Sequence, residues 1–277
     1  MYIYGTDEAG YGPNLGPLVI TATVWEAPDE DLAFLFQPLK NAGILIGDSK
    51  KLYHSGGTLT VLENNVLAVL HYLGCCPPIP RKQVPLIAGL AETFGSVLSQ
   101  HQVRLLDIQS CIIEPAVFNQ LLHQYGSKGS LLSNETMRLA CGVSQNYSGM
   151  NQVFLCDKHG GRNRYLDLLT GFFTGRFINV LQESLERSVY RFQDADAFTE
   201  FRFIAKGESQ LPAALSSMVS KYRREKAMQS FNAFWQSQVP DLKPTAGYPE
   251  DAKRFIKDIA PAKTALGIAD DDIWRRK

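Results

Sequence analysis

Apolar residues along this chain follow two different spacings, one typical of strands and one typical of helices. Short runs rich in β-branched and aromatic residues predict strands at residues 2–6, 17–24, 103–113, 152–157, 177–182, 188–192 and 200–205. Apolar residues three or four positions apart predict helices at residues 58–73, 86–98, 115–122, 132–143, 163–174 and 212–234, and residues 249–277 are mainly helical. Strands that alternate with helices predict an α/β domain with a helical C-terminal portion.

The length of 277 residues allows one large domain or two smaller ones. We expect residues 1–235 to form the α/β domain, and residues 236–277 to pack on it rather than fold independently. Residues 1–8 have no basic flank followed by an apolar run, and no apolar segment is long enough to span a membrane. We therefore expect a cytoplasmic protein with no membrane association.

Charge and cysteine content narrow the classes of function. Lys plus Arg and Asp plus Glu both number 28, so the net charge is zero. Bulk charge therefore does not attract a polyanion, and any binding of nucleic acid needs a local basic patch. The five cysteines lack metal-ligand spacing, which favours reduced thiols.

The segment GTDEAGYGPNLGPLVI, residues 5–20, places Asp7 and Glu8 directly before a turn rich in glycine. A turn needs glycine and one short polar residue, but it does not need two adjacent carboxylates that repel each other. Asp157 and Glu208 likewise stand at or just past predicted strand ends, where sites of α/β sheets collect. Four such carboxylates suit Mg²⁺, although each acid alone is more typical of a solvated loop or a helix N-cap.

Basic residues lie in three short segments that suit a phosphate backbone. DKHGGRNRY begins at Asp157, SKYRREK begins at Ser220, and GDSKKL begins at Gly47. Their candidate phosphate contacts are Lys50, Arg162, Lys221 and Arg224, and His159 is a candidate phosphate contact, proton carrier or surface residue. A solvated charged surface is the alternative interpretation of each segment.

The segments occur in an order that closely resembles the ribonuclease HII and HIII family. DEAGYGPNLGPLV is followed by GDSKKL, by an apolar strand ending in Asp157, by an acid before PAALSSMVSKYRRE, and by GYPEDAKRF. The resemblance covers nearly the whole chain. It implies a ribonuclease H-like mixed sheet flanked by helices, with residues 1–235 as the catalytic domain.

The resemblance also implies an activity: Mg²⁺- or Mn²⁺-dependent cleavage of RNA in RNA–DNA hybrids, or of ribonucleotides in duplex DNA. The products would carry a 5′-phosphate and a 3′-hydroxyl, and we expect the enzyme to be a monomer. The four catalytic and metal-binding acids map onto Asp7, Glu8, Asp157 and Glu208. Glutamate at position 208 departs from the HII pattern, which has aspartate, and is similar to the HIII pattern.

Further positions match the substrate contacts of the family. Ser217, Lys221 and Arg224 correspond to the AAS and AKV-x-RD segment of the family, and Lys50 corresponds to its D-S-K segment. Tyr248 corresponds to the tyrosine that in this family packs by the ribose. Backbone groups of the glycine turn, here Gly10, Tyr11 and Gly12, are implied to read the 2′-hydroxyl. Tyr11 stands where the family has arginine or lysine, and residues 183–200 resemble an added hairpin.

Two alternatives to a ribonuclease stay open at this point. One is a hybrid- or duplex-binding protein that has lost catalysis, which Tyr11 and Glu208 favour. The other keeps the nuclease chemistry but acts on a different substrate, for example branched DNA, since one fold serves several functions.

Overall fold

The computed structural model describes residues 1–53, 57–194 and 196–276, so Ala195 of the predicted hairpin and Lys277 of the C-terminal portion lie outside the described residues. The strands are β1 (Tyr2–Ala9), β2 (Leu18–Glu26), β3 (Arg104–Ile113), β4 (Gln152–Asp157), β5 (Asn179–Glu183), β6 (Arg187–Asp194) and β7 (Ala197–Ile204). The helices are α1 (Phe36–Asn41), α2 (Ser49–Leu52), α3 (Thr60–Tyr72), α4 (Val84–Gln100), α5 (Pro115–Tyr125), α6 (Lys128–Ser144), α7 (Leu166–Phe172), α8 (Leu211–Gln238), α9 (Pro249–Ala265) and α10 (Asp270–Ile273).

The seven strands form one mixed sheet in the order β3-β2-β1-β4-β7-β6-β5. Strands β1, β4 and β7 are parallel neighbours, whereas β2, β3, β5 and β6 run antiparallel to the strands beside them. The α/β class is therefore confirmed, and β2 is the antiparallel partner of β1. Because β1, β4 and β7 run in one direction, their carboxyl ends meet at one edge of the sheet.

Helix α8 packs closely on β1 because the facing residues are small. A Cβ atom on Gly5 would stand 2.1 Å from the Pro212 carbonyl carbon, so glycine is required for this approach. The Ser216 hydroxyl donates to the Gly5 carbonyl at 2.8 Å, and the Ser220 hydroxyl donates to the Asp7 carbonyl at 3.1 Å. These contacts fix the carboxyl end of β1 against the helix.

Each face of the sheet has its own apolar core. On one face, α3, α4 and α8 cover residues such as Ile3 and Val153. On the other face, α6 and α7 cover an aromatic row in which Tyr4, Phe154 and Phe201 stack with 4.3 Å between successive ring centroids. Burial on both faces explains why β4 is a nearly continuous apolar run.

The C-terminal portion packs around the end of α8, which continues past residue 235 to Gln238. Trp235, Phe255 and Ile273 form a separate buried cluster with Leu15 from the glycine turn. The N-terminal turn and the C-terminal portion therefore share one core. None of the helices in the described ranges combines the length and the apolar character needed to cross a membrane.

The predicted hairpin at residues 183–200 consists of the β5–β6 turn, β6 and the start of β7, which extend the sheet beyond β4. A buried lysine, Lys158, joins this extension to the end of β4. Its ammonium group donates to Asn163 Oδ1 at 2.8 Å, to the Ser184 carbonyl at 2.6 Å and to Ser188 Oγ at 3.2 Å. The extension thus supports the residue that directly follows Asp157.

Candidate active site

Three of the predicted acids form a cluster at the carboxyl ends of β1 and β4. Asp7 and Glu8 lie near the end of β1, and Asp157 is the last residue of β4. One carboxylate oxygen from each lies within 4.8 Å of the other two. Glu208 follows β7 in a short 3-10 helix and lines the same cleft, which has a volume of about 250 Å³.

The turn that carries Glu208 fits directly against Asp157. The Gly207 N–H donates to Asp157 Oδ1 at 2.7 Å, which fixes the orientation of this carboxylate. A Cβ atom on Gly207 would lie 3.0 Å from Asp157 Cα, so a side chain at this position would push the two segments apart. A main-chain hydrogen bond therefore holds the turn that carries Glu208 against the end of β4.

The electrostatics of the cluster favour a bound cation. Burial, and then the Asp157 carboxylate, raise the pKa of Asp7 to about 7. Burial, and then the carboxylates of Asp7 and Asp157, raise the pKa of Glu8 well above its ordinary value, and burial raises the pKa of Asp157. Lys50 opposes these shifts at Glu8 and Asp157 only in part. A set of crowded, buried oxygen donors fits a hard divalent ion such as Mg²⁺ or Mn²⁺.

Lys50 enters the cleft because Asp48 caps the start of α2, accepting a hydrogen bond from the Lys50 N–H at 2.9 Å. Between them, Ser49 Oγ lies 3.1 Å from Ser217 Oγ on α8. The Ser217 hydroxyl in turn bonds Asp7 and lowers its pKa. The predicted residues Lys50 and Ser217 thus meet at the acid cluster.

Two further predicted residues, Lys221 and Tyr248, stand at the rim of the cleft. The Lys221 ammonium donates to Glu225 Oε1 at 2.7 Å and lies 5.1 Å from the centroid of the Tyr53 ring. Tyr248 is 51% exposed at the N-cap of α9, so its ring is open to a ligand. Both residues therefore border the cleft that contains the acids.

Arg224 lines the cleft but its guanidinium group is buried and bound to main chain. It donates to the Ala246 carbonyl at 3.0 Å and to the Leu15 carbonyl at 3.4 Å. Gly10 has a φ of +92°, and a Cβ atom there would stand 2.6 Å from Arg224 Nε and 2.5 Å from the Pro17 carbonyl oxygen. Arg224 therefore packs against the glycine turn from the protein interior.

The glycine turn forms one wall of the cleft through Gly10, Tyr11 and Gly12. The Tyr11 ring packs beside the apolar cluster that includes Phe118. Its hydroxyl reaches the loop after β4, where a Cβ on Gly160 would lie 3.6 Å away. Tyr11 therefore bridges the turn and that loop.

Arg162 is not among the described residues that line the cleft. Its guanidinium carbon instead lies 5.7 Å from the centroid of the Tyr165 ring. His159 is buried, with Nδ1 3.0 Å from Ser133 Oγ. Burial, and then Arg162, lower the pKa of His159 to about 3, so the ring is neutral near neutral pH. The surface position considered for His159 is therefore wrong.

Sequence reasoning missed three residues around the cleft: Asp48, Ser49 and Arg275. Asp48 and Ser49 directly precede Lys50, and the Asp-Ser pair before a helix is itself a capping signal. Arg275 reaches the glycine turn from the C-terminal portion, and no local pattern marks it.

Comparisons with known proteins agree on the fold. The chain superposes on ribonuclease HII from Archaeoglobus fulgidus, solved in a complex with PCNA, with a TM-score of 0.53 at 14% identity over 100% of this chain and 95% of that one. The superposition on ribonuclease H2 from Pyrococcus horikoshii OT3 has a TM-score of 0.50 at 14% identity, over 99% of this chain and 92% of that one. The superposition on Bst-RNase HIII, solved in complex with Mn²⁺, has a TM-score of 0.50 at 16% identity, over 99% of this chain and 66% of that one.

No protein-family model matches the sequence, and no curated protein matches it either. The superpositions show that the chain has the fold of the type 2 ribonucleases H, as the order of its motifs predicted. At 14% sequence identity, they establish the fold alone.

Proposed function

We propose that this protein is a metal-dependent ribonuclease H that cleaves RNA in RNA–DNA hybrids, or ribonucleotides in duplex DNA. The observation that carries the proposal is the cluster of Asp7, Glu8 and Asp157 within 4.8 Å, in the same cleft as Glu208 and two lysines. The fold of the type 2 ribonucleases H supports it. The products would carry a 5′-phosphate and a 3′-hydroxyl.

The four acids would hold two Mg²⁺ or Mn²⁺ ions. Such ions, when bound, lower the pKa of a water nucleophile and stabilise the leaving oxygen. Gly207 keeps the Asp157 carboxylate turned toward the cleft, and Ser217 does the same for Asp7. The carboxylates of Asp7 and Asp157 are thus held in place before a ligand binds, which lowers the ordering cost of binding.

The residues around the acids would position the substrate. Lys50 and Lys221, which line the cleft, would pair with phosphates of the substrate. The exposed Tyr248 ring would pack against the sugar, and the main chain of the glycine turn would bond the 2′-hydroxyl. Dependence on that hydroxyl is what separates this proposal from a branched-DNA nuclease.

Asp157→Asn tests the proposal with a matched control. We expect turnover of a labelled hybrid to fall about a thousandfold, because losing a carboxylate ligand removes several kcal/mol of charge stabilisation. Binding of the hybrid should remain, since the lysines are untouched. Asp241→Asn is the control, because Asp241 is exposed with a φ of +62°, a conformation that asparagine tolerates.

Full activity of Asp157→Asn would contradict the assignment of the acids. Tight binding of the hybrid by the unaltered protein, with no cleavage in either metal, would instead support a binding protein that has lost catalysis.

A further inference from the structure

Arg275 is fully buried against the glycine turn although it lies near the C-terminal end of the sequence. Its Nη2 donates to the Gly10 carbonyl at 2.6 Å and also to the Pro13 carbonyl. The guanidinium carbon lies 4.8 Å from the centroid of the Phe118 ring, which stacks a cation on an aromatic face. One side chain therefore holds both ends of the segment that contains Tyr11 and Gly12.

Main-chain pairing places Arg275 at this position. The Arg275 N–H donates to the Asn14 carbonyl at 2.8 Å, and Asn14 Nδ2 donates to the Arg275 carbonyl at 3.1 Å. Leu15 and Trp274 form an isolated antiparallel bridge beside them. The arginine is thus fixed by backbone contacts that do not depend on its own side chain.

The buried charge of Arg275 has no carboxylate partner in the described part of the chain. Its Nε and Nη1 are buried without hydrogen-bond partners among the described residues. Burial, and then the cationic Arg224, lower the pKa of Arg275. Burying an unpaired cation costs free energy. A hydrophobic residue would fill this space at lower cost, so the charge itself points to a role at the turn.

The hydrogen bond to Gly10 acts on the next residue through the peptide group. The Gly10 carbonyl and the Tyr11 N–H belong to one peptide unit, and a bond donated to the carbonyl strengthens the N–H as a donor. Within the described residues, the Tyr11 N–H has no protein acceptor. Tyr11 lines the cleft, whereas Arg275 contacts the turn from the protein interior.

We propose that Arg275 is a positioning residue that sets the shape and the donor strength of the glycine turn for a ribose 2′-hydroxyl or a phosphate. This inference rests on the proposed function, which it deepens. Arg275 contacts the turn and not the cleft, so it acts through the main chain of Gly10, Tyr11 and Pro13.

The test uses the full chain with Arg275→Gln and Arg275→Lys, and with Arg276→Gln as the control. Arg276 is the exposed neighbour, and it pairs with Asp271 at 2.6 Å instead of the turn. Kinetics on a hybrid duplex, and dissociation constants for a ribonucleotide-containing and an all-DNA duplex, are measured for each variant. Thermal unfolding shows which variants are folded.

In folded Arg275→Gln we expect KM to rise about tenfold with kcat within twofold, and the binding preference for the ribonucleotide duplex to fall about as much. Arg275→Lys should recover part of both, since an ammonium group still donates to one carbonyl. Arg276→Gln should match the unaltered protein. If Arg275→Gln does not fold, Arg275→Lys carries the test.

The inference would be overturned if the folded Arg275 variants kept the KM and the binding preference of the unaltered protein. A fall in kcat alone would also overturn it. An unaltered protein that cleaves no duplex contradicts the proposed function instead, and the binding preference still tests Arg275. An unaltered protein without any preference for the ribonucleotide duplex contradicts both.

Discussion

Asp7 and Glu8 stand side by side at the end of β1, where a stable strand would avoid two charges. Asp7 lies opposite Thr21 and Glu8 opposite Ile20 in the β1–β2 ladder, so the pair belongs to the sheet and not to the turn. Asp157 faces both across the cleft. Under the proposed function, a bound cation would offset the repulsion among these carboxylates, and binding of metal would therefore stabilise the folded protein.

Glu8→Gln tests this coupling by unfolding temperature. Because burial and neighbouring carboxylates raise the pKa of Glu8, its charged form is the disfavoured one in the folded protein. We expect Glu8→Gln to unfold at a higher temperature than the unaltered protein in a chelator, and to gain less from added Mn²⁺. For the unaltered protein, metal at roughly 100 times its dissociation constant should contribute about 2.7 kcal/mol. Equal metal-induced shifts in both proteins would contradict the metal site.

The two glycines that flank Tyr11 make a matched pair for a stability measurement. Gly10→Ala introduces a Cβ at a φ of +92°, against Arg224 and a backbone carbonyl, whereas a Cβ on Gly12 meets nothing within 4 Å. We expect Gly10→Ala to lose about 1–3 kcal/mol of unfolding free energy, and Gly12→Ala to lose far less. Urea unfolding measures both, and equal losses would mean that the turn adopts a different conformation in solution.

At the scale of elements, three parallel strands create the site and the remaining strands support it. Asp157 ends β4, and the residue after it, Lys158, extends to the β5–β6 turn and to β6. Without β5 and β6, the buried ammonium group would lose two of its three acceptors. The added strands therefore hold the segment that follows β4.

Lys158→Met tests this support. The change removes the donor from a buried acceptor on Ser188 and from half-buried acceptors on Asn163 and Ser184. A buried acceptor left without its donor costs about 1–3 kcal/mol. We expect a loss of at least about 2 kcal/mol in urea unfolding, whereas Lys257→Met, on an exposed position of α9, should change little. A Lys158→Met protein as stable as the control would show that the extension does not depend on this contact.

Elements with strong periodicity were predictable, and contacts distant in sequence were not. The run QVFLCD gives β4 with the predicted bounds, because a buried strand needs a continuous apolar run that ends where a polar site begins. The predicted strand at residues 2–6 continues to Ala9, since pairing with β2 outweighs the glycine signal. Arg275 acts on Gly10 across 265 positions of sequence, and a basic residue among basic neighbours carries no local signal of that contact.

For the whole molecule, the cleft is the place where distant parts of the chain meet. The glycine turn, α2, the end of β4 and α8 line it together with Tyr248 from the C-terminal portion. The net charge of zero hides this local arrangement of acids and lysines. Binding of a duplex would therefore depend on a few phosphate contacts and weaken as salt increases.

The most direct test compares cleavage of three labelled duplexes by the unaltered protein, in Mg²⁺ and separately in Mn²⁺. One duplex carries a single ribonucleotide, one carries a run of four, and one is DNA throughout. A ribonuclease H cleaves one or both ribose-containing duplexes, leaves 5′-phosphate ends and spares the DNA. Cleavage of all three duplexes alike, or of none of them despite binding, would contradict the proposed function.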